Sequence, residues 1–400
     1  MIRRDMTDEL LKAAAEYPVV TVFGPRQSGK TTLVQMTFPD RPYLSLEEPD
    51  VRMAAEKDPR GFLAEFPDGG VLDEIQRTPH LLSYIQGLVD RKKTPGFFIL
   101  TGSHQPKLHH AISQSLAGRT AVLTLLPFSL PELSHYRKEW NPFELMVNGS
   151  FPRLHEGRLT SHRFFNGYLQ TYVERDVRAI INLKDLIRFQ QFLTLLAGRI
   201  GQVVNFTSLS NDLGVSSTTV KNWVSVLTAS YVVIELPPYF ENIRKRVVKS
   251  PKIYFSDTGL AAHLLGIMTK EQAARDPLRG GLYENLIILE ILKSRLNYGL
   301  RPDLYFYRDT HGVEVDLILR EGRKIFPVEI KSAATFNEEF IKSMGLFCKT
   351  VTNCSNGTVL YNGRRRFQFK GTEVFNPFLH GGFDGLGRPN TMRENPDLEE

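Results

Sequence analysis

Cysteine is nearly missing from this 400-residue chain: only Cys348 and Cys354 occur. They are too few for a disulfide scaffold and lack the paired spacing of a zinc site, which favours a reducing compartment, by default the cytoplasm. Long apolar runs are missing too. No stretch reaches the roughly 18 consecutive apolar residues of a membrane span, and the opening MIRRDMTDELLKAAAEYP has no apolar core of the kind a secretory leader carries. Neither secretion nor a membrane partner is expected. There is no internal repeat or low-complexity tract, and with 42% hydrophobic and 24% charged residues collagen, coiled coil and wholesale disorder are excluded. No serine or cysteine stands in a nucleophile pattern. His109 and His110 are adjacent, a spacing that does not put two imidazoles on one helical face.

What remains is a globular chain long enough for two or three domains at roughly 150 residues each. Its net charge of +6 permits an anionic partner without demanding one. From Pro18 to Leu126 short apolar runs, VVTVF, PYLSL, GVLDEI, FFILTG and TAVLTLL, alternate with segments of helical spacing. A strand buried on both faces is almost wholly apolar and needs a crossover helix before the next, so the alternation predicts a parallel α/β sheet. The spacing predicts this first domain over 1–139, a helical connector over 140–185, short helices followed by strands over 186–265, a helix and a strand-rich stretch over 276–375, and a tail over 376–400.

The strongest motif is GPRQSGKT, which follows VVTVF directly and opens the helix TTLVQMTF. It satisfies G-x-x-x-x-G-K-[ST], in which backbone N–H groups and a helix N-terminus cradle phosphate. Gly24, Pro25, Arg26, Gln27, Ser28, Gly29, Lys30, Thr31 and Thr32 are therefore expected to bind ATP, with Lys30 on the β- and γ-phosphates and Thr31 on Mg2+. A bare glycine turn without ligand is the bland alternative. In VLDEIQ, Asp73 can hold the magnesium shell while Glu74 activates water. Ser103, ending FFILTGSHQ, is either a sensor of the γ-phosphate or a plain polar strand end.

These segments, GPRQSGKTTL, PYLSLEEPD, VLDEIQR, FFILTGSH and LAGRTAVLTLLPFSLPEL, with YVERDV, PKIYFSDTGL, GGLYENLIILE and EVDLIL…FPVEIKS, resemble the prokaryotic AAA-type ATPases that carry a C-terminal domain of formerly unknown function. The resemblance spans nearly the whole chain. It implies an α/β P-loop ATPase domain, then a winged-helix domain, then an α/β domain similar to PD-(D/E)XK nucleases (a restriction-endonuclease-like fold). It also implies that Arg119, in LAGRT, either approaches the ATP of a neighbouring copy as an arginine finger or forms a structural ion pair.

The middle segment reads as a winged helix from its own residues. Leu209, Leu213, Val215, Val220, Trp223 and Leu227 keep helical spacing across a Gly214 turn, and Ser216 can cap the second helix. Ser217, Thr218, Thr219, Lys221 and Asn222 would face a DNA groove, and Arg244, Lys245, Arg246, Lys249 and Lys252 would neutralise phosphates. The alternative is a packing module with a solvated charge run. In the last domain Asp316, Glu329 and Lys331 form D-x12-E-x-K. On a strand Glu329 and Lys331 share a face, so Asp316 and Glu329, completed by Glu284, could bind Mg2+ while Lys331 orients or deprotonates water. The rival is a degenerate fold that binds nucleic acid or protein without cutting. The expected function is thus a DNA-associated, ATP-hydrolysing AAA-type ATPase, with oligomeric assembly of its own copies, or else an ATP-dependent signalling or toxin-like switch acting on a protein partner.

Overall fold

The computed structural model describes residues 2–103, 112, 114–157, 159–173, 185–240, 249–380, 383 and 386. The chain divides into two compact units. One comprises Met1–Phe128 with Ala229–Tyr231 and Leu296–Leu300; the other comprises Ser129–Thr228, Val232–Arg295 and Arg301–Glu400.

In the first unit the five apolar runs become β1 (Val19–Phe23), β2 (Tyr43–Ser45), β3 (Gly70–Asp73), β4 (Phe98–Gly102) and β5 (Thr120–Thr124). All pairings are parallel, in the order β2-β3-β4-β1-β5. Strands β1 and β4 are buried at every position, as strands covered on both faces must be. Alternate residues of β1 enter two separate cores. Val19 and Phe23 join Ala55 of α3 (Pro49–Lys57), Phe62 of α4 (Pro59–Ala64) and Ile85 of α5 (Leu81–Lys92). Val20 and Val22 join Leu10 of α1 (Thr7–Glu16) and Leu33 of α2 (Lys30–Thr37). Because β1 lies between β4 and β5, its carboxyl end opens on the position where α/β sheets bind ligands.

In the second unit, helices Leu186–Ala197, Phe206–Leu213 and Ser217–Ala229 precede an antiparallel pair, β6 (Val233–Leu236) and β7 (Lys252–Phe255). Trp223 packs on Phe189 and Phe192 with ring centroids 5.5 and 5.2 Å away, and the Thr219 N–H donates to Ser216 Oγ at 3.0 Å. The helix Arg279–Asn297 then leads into β8 (Leu304–Arg308), β9 (Glu314–Glu321) and β10 (Lys324–Lys331), followed by the helix Lys342–Cys348, β11 (Thr358–Tyr361), β12 (Phe367–Phe369) and β13 (Thr372–Phe375). The sheet order is β12-β13-β11-β10-β9-β8; β8, β9 and β10 pair antiparallel, and β10 pairs β11 in parallel.

Cys348 and Cys354 are joined by a disulfide, their Cα atoms 5.4 Å apart. A low cysteine count excludes a scaffold of several bridges and points to a reducing compartment; a sequence separation of 6 nonetheless lets one local bridge form without a scaffold. Among the described residues no helix is long and apolar enough to cross a membrane. His104, His109, His110 and most of the 376–400 tail lie outside the described residues.

Asp257, fully buried, ties the second unit together locally. Its carboxylate accepts from the N–H and hydroxyl of Ser150 at 2.7 and 2.9 Å, and from Gly259 and Leu260 N–H at 2.8 and 3.3 Å at the start of the helix Thr258–Leu264. Asp257→Ala strands those donors and should cost about 2 to 4 kcal/mol, against about 1 kcal/mol for Asp185→Ala at a more open helix cap. Urea unfolding of both variants checks the difference.

Candidate functional site

The loop between β1 and α2 has the backbone that phosphate binding requires. A Cβ on Gly24 would lie 2.1 Å from the Leu125 carbonyl oxygen, so only glycine fits, and Gln27 and Gly29 take left-handed φ values of 61° and 92°. Lys30 is 5% exposed, and its ammonium donates to the Gly24 and Pro25 carbonyls at 3.1 and 2.8 Å, folded across the loop. Pro25 and Ser28 are buried, Arg26, Gln27 and Thr31 half-buried, and Thr32 exposed. Sequence reasoning missed Arg4. Buried beneath the loop, it donates to the Ser28 and Leu126 carbonyls at 2.7 Å each and stacks its guanidinium over Phe128 at 4.9 Å.

Asp73, at the end of β3, is 4% exposed. Thr31 Oγ1 and Tyr43 OH donate to its Oδ2 at 2.9 and 2.7 Å, while Thr101 Oγ1 and the Glu74 N–H donate to Oδ1. Burial and the Asp73 charge push the Tyr43 phenol well above its usual range, which keeps it a donor. Tyr43 and Thr101 had no motif to mark them. The donor set, a hydroxyl and a carboxylate held side by side, suits a hard cation such as magnesium.

Glu74 adopts φ 57° and ψ 43°, a left-handed conformation uncommon outside glycine and concentrated at functional turns. Its carboxylate accepts from the amide of Gln76, which also donates to Ser103 Oγ at 2.9 Å. Ser103 is thereby brought to Glu74 through a residue that the sequence reading passed over. Arg119 forms a two-pronged pair with Asp90, Nε to Oδ1 at 2.5 Å and Nη2 to Oδ2 at 3.0 Å, so within one copy it is an ion-pair partner.

In the second unit Asp316, Glu329 and Lys331 come together. Lys331 Nζ lies 2.8 Å from Asp316 Oδ2 and 2.7 Å from Glu329 Oε2, so the two carboxylates sit well within the roughly 8 Å beyond which they could not share a cation whose ligand distances are about 2.0 to 2.6 Å. Glu284 does not complete them. It instead accepts from Lys252 at 3.0 Å and Tyr254 at 2.5 Å, and among the described residues no three of His, Cys, Asp and Glu gather as a metal-holding group. Burial raises the Asp316 carboxyl, but Lys331 and Lys252 outweigh it and hold the group at about 2. Burial and the neighbouring Asp316 push Glu329 well above the carboxylate range.

Lys252 is the clearest departure from the sequence reading. Counted there among five cations facing phosphate, it is 1% exposed and wedged between Glu284 and Glu314, the latter at 2.7 Å. Its place on β7, paired with β6, turns it inward, out of contact with solvent. Arg244, Lys245 and Arg246 lie outside the described residues. Thr218, Lys221 and Asn222 are exposed on the helix Ser217–Ala229, with Ser217 and Thr219 half-buried.

Burial carries Glu284 up from an ordinary 4.5 to about 7, against the pull of Lys252. The folded chain therefore holds this proton more tightly than the unfolded chain, so the stability it supports is full below about pH 4.5 and is lost as pH rises through about 7. Unfolding free energy of the wild type should fall by up to about 3 kcal/mol relative to Glu284→Gln between pH 5 and pH 8. Denaturant titrations at the two pH values measure it.

The geometry can be set beside known proteins. Residues 16–134 match the model of the AAA domain, residues 140–271 a domain of unknown function (DUF8612), and residues 279–379 another (DUF4143). Two uncharacterized proteins, of Mycobacterium bovis and Mycobacterium tuberculosis, are each 30% identical over 379 residues, which is 94% of this chain and 83% of theirs. Among solved structures the Walker-type ATPase of Pyrococcus abyssi is similar over 65% of this chain and 94% of its own, with 15% identity and a TM-score of 0.41. Near-full-length identity at this level means that the chain belongs to the family of the two mycobacterial proteins, and that it carries an AAA-type ATPase domain at its N-terminal end.

Proposed function

We propose that this chain binds MgATP on residues Gly24–Thr32 and hydrolyses it, and that nucleotide state governs a DNA-directed second half, a winged helix over 186–265 and a nuclease-like domain over 276–375. The observation that carries the first part is the 2.9 Å hydrogen bond from Thr31 to Asp73 beside a buried lysine in a glycine-shaped loop. Magnesium bound by Thr31 and Asp73 supplies charge to offset that of the β- and γ-phosphates. Lys30 exchanges its two carbonyl partners for phosphate oxygens. Glu74 takes a proton from the attacking water as the water oxygen bonds to the γ-phosphorus; the bond to the bridging oxygen breaks and ADP leaves with its electron pair. In an assembly of copies Arg119 would trade Asp90 for a neighbour's γ-phosphate.

For the second half, the exposed Thr218, Lys221 and Asn222 support contact with a groove. The succession of helix, three antiparallel strands, helix and parallel strand, with Asp316, Glu329 and Lys331 at one point of it, supports the nuclease-like reading. One observation favours the rival, a domain that recognises a partner without cutting. Lys331 pairs with both Asp316 and Glu329, and Lys252 with both Glu284 and Glu314, the latter also met by Arg308 at 3.4 Å, so the chain's own cations already hold these acids together.

Lys30→Ala should abolish ATP binding, whereas Glu74→Gln should bind ATP and barely release phosphate; a wild-type protein without magnesium-dependent phosphate release, with or without DNA, overturns the hydrolysis reading. Removing Arg244, Lys245 and Arg246 together should reduce the magnitude of the slope of log K against log salt for duplex DNA by up to about 2.7, at roughly 0.9 per phosphate. Duplex cut by the wild type but not by Lys331→Ala supports a nuclease. Intact DNA with both supports the partner-binding domain.

A further inference from the structure

Gln76 lies in the short 3₁₀ turn Ile75–Arg77 directly after β3. It is 9% exposed, and its amide nitrogen is committed twice, to the Glu74 carboxylate and to Ser103 Oγ. Its carbonyl oxygen, Oε1, is buried with no hydrogen-bond partner among the described residues. A glutamine kept only for packing would turn that oxygen to a donor, because a buried acceptor left unpaired costs about 1 to 3 kcal/mol. The backbone agrees with the side chain. Glu74 is held in its left-handed conformation by its N–H on Asp73 Oδ1 at 3.2 Å and Thr101 Oγ1 at 3.4 Å, which leaves its carboxylate facing Gln76 and the end of β4.

We propose that Gln76 is a positioning residue for ATP hydrolysis: its N–H groups fix the Glu74 carboxylate against Ser103, and its uncommitted carbonyl oxygen receives the second hydrogen of the water that Glu74 deprotonates. The inference rests on the hydrolytic reading given above. A neutral amide is the group that can do this, since it donates to a carboxylate and accepts from a water at once. No proton passes through Gln76; the water's proton goes to Glu74.

Steady-state hydrolysis, ATP binding by calorimetry and thermal unfolding of the wild type, Gln76→Ala, Gln76→Glu and Glu74→Gln test it. Gln76→Ala should lower kcat by roughly 10- to 100-fold, a part of the ~10²–10⁴ that placed general bases contribute, while KM, ATP affinity and the unfolding midpoint stay close to wild type. Gln76→Glu should be equally impaired at neutral pH and recover as pH falls and its acid regains a proton to donate. In the Glu74→Gln background Gln76→Ala should add no further loss, because the carboxylate it positions is gone. Unchanged or faster turnover in Gln76→Ala, or a full additional loss in the double variant, overturns the role while leaving the hydrolytic reading in place. A wild type that binds ATP and releases no phosphate overturns both.

Discussion

The carboxyl edge of the sheet in the first unit hangs on one carboxylate. Asp73 draws a hydroxyl from α2, a phenol from β2, a hydroxyl from β4 and the N–H of its own successor. Four segments far apart in sequence are thereby held to one point at the carboxyl edge of the sheet. A carboxylate with both oxygens engaged has no rotational freedom left, and the hydroxyl of Thr31 is fixed by the same contact. Rigid placement of this kind is what a site of developing charge requires, because groups that must reorganise during reaction give back much of what they stabilise.

The second unit solves a different electrostatic problem. Acids buried together repel, and each would otherwise rise toward neutrality. Here Lys331 bridges two of them and Lys252 two others, and burial lowers each ammonium less than the surrounding carboxylates raise it. Pairs of this sort add little net stability, since desolvation offsets most of the attraction. Removing one member is costly, which makes the network a device for fixing geometry.

Local patterns were legible in the sequence where the governing physics is local. Five apolar runs flanked by turns became the five parallel strands, Gly24 and Gly29 marked the loop, Ser216 capped its helix, and strand alternation put Glu329 beside Lys331. Burial on β10 was not legible: Glu329 is 3% exposed, like its neighbours Val328 and Ile330, because both faces of that strand are covered. Arg4 reaches partners 24 and 122 residues away, and nothing in MIRRDM announces that. Tyr43, Thr101 and Gln76 are ordinary strand or turn residues until the sheet order sets their ends side by side. Lys252 misled because a run of cations reads as a surface, and only its place on β7 shows that it turns inward.

The inward turn of Lys252 also governs how this protein can be taken apart. A cut between residues 265 and 276 looks harmless on the sequence, yet it would leave Glu284 and Glu314 on one fragment and their shared ammonium on the other. The isolated C-terminal piece would carry surplus negative charge in a pocket shaped around a missing cation, and the isolated hairpin would carry a lysine shaped for no solvent. Biochemistry on excised domains would then describe two damaged halves, so the natural unit of dissection runs from Ser129, which keeps Ser150 with Asp257, through the end of the six-stranded sheet.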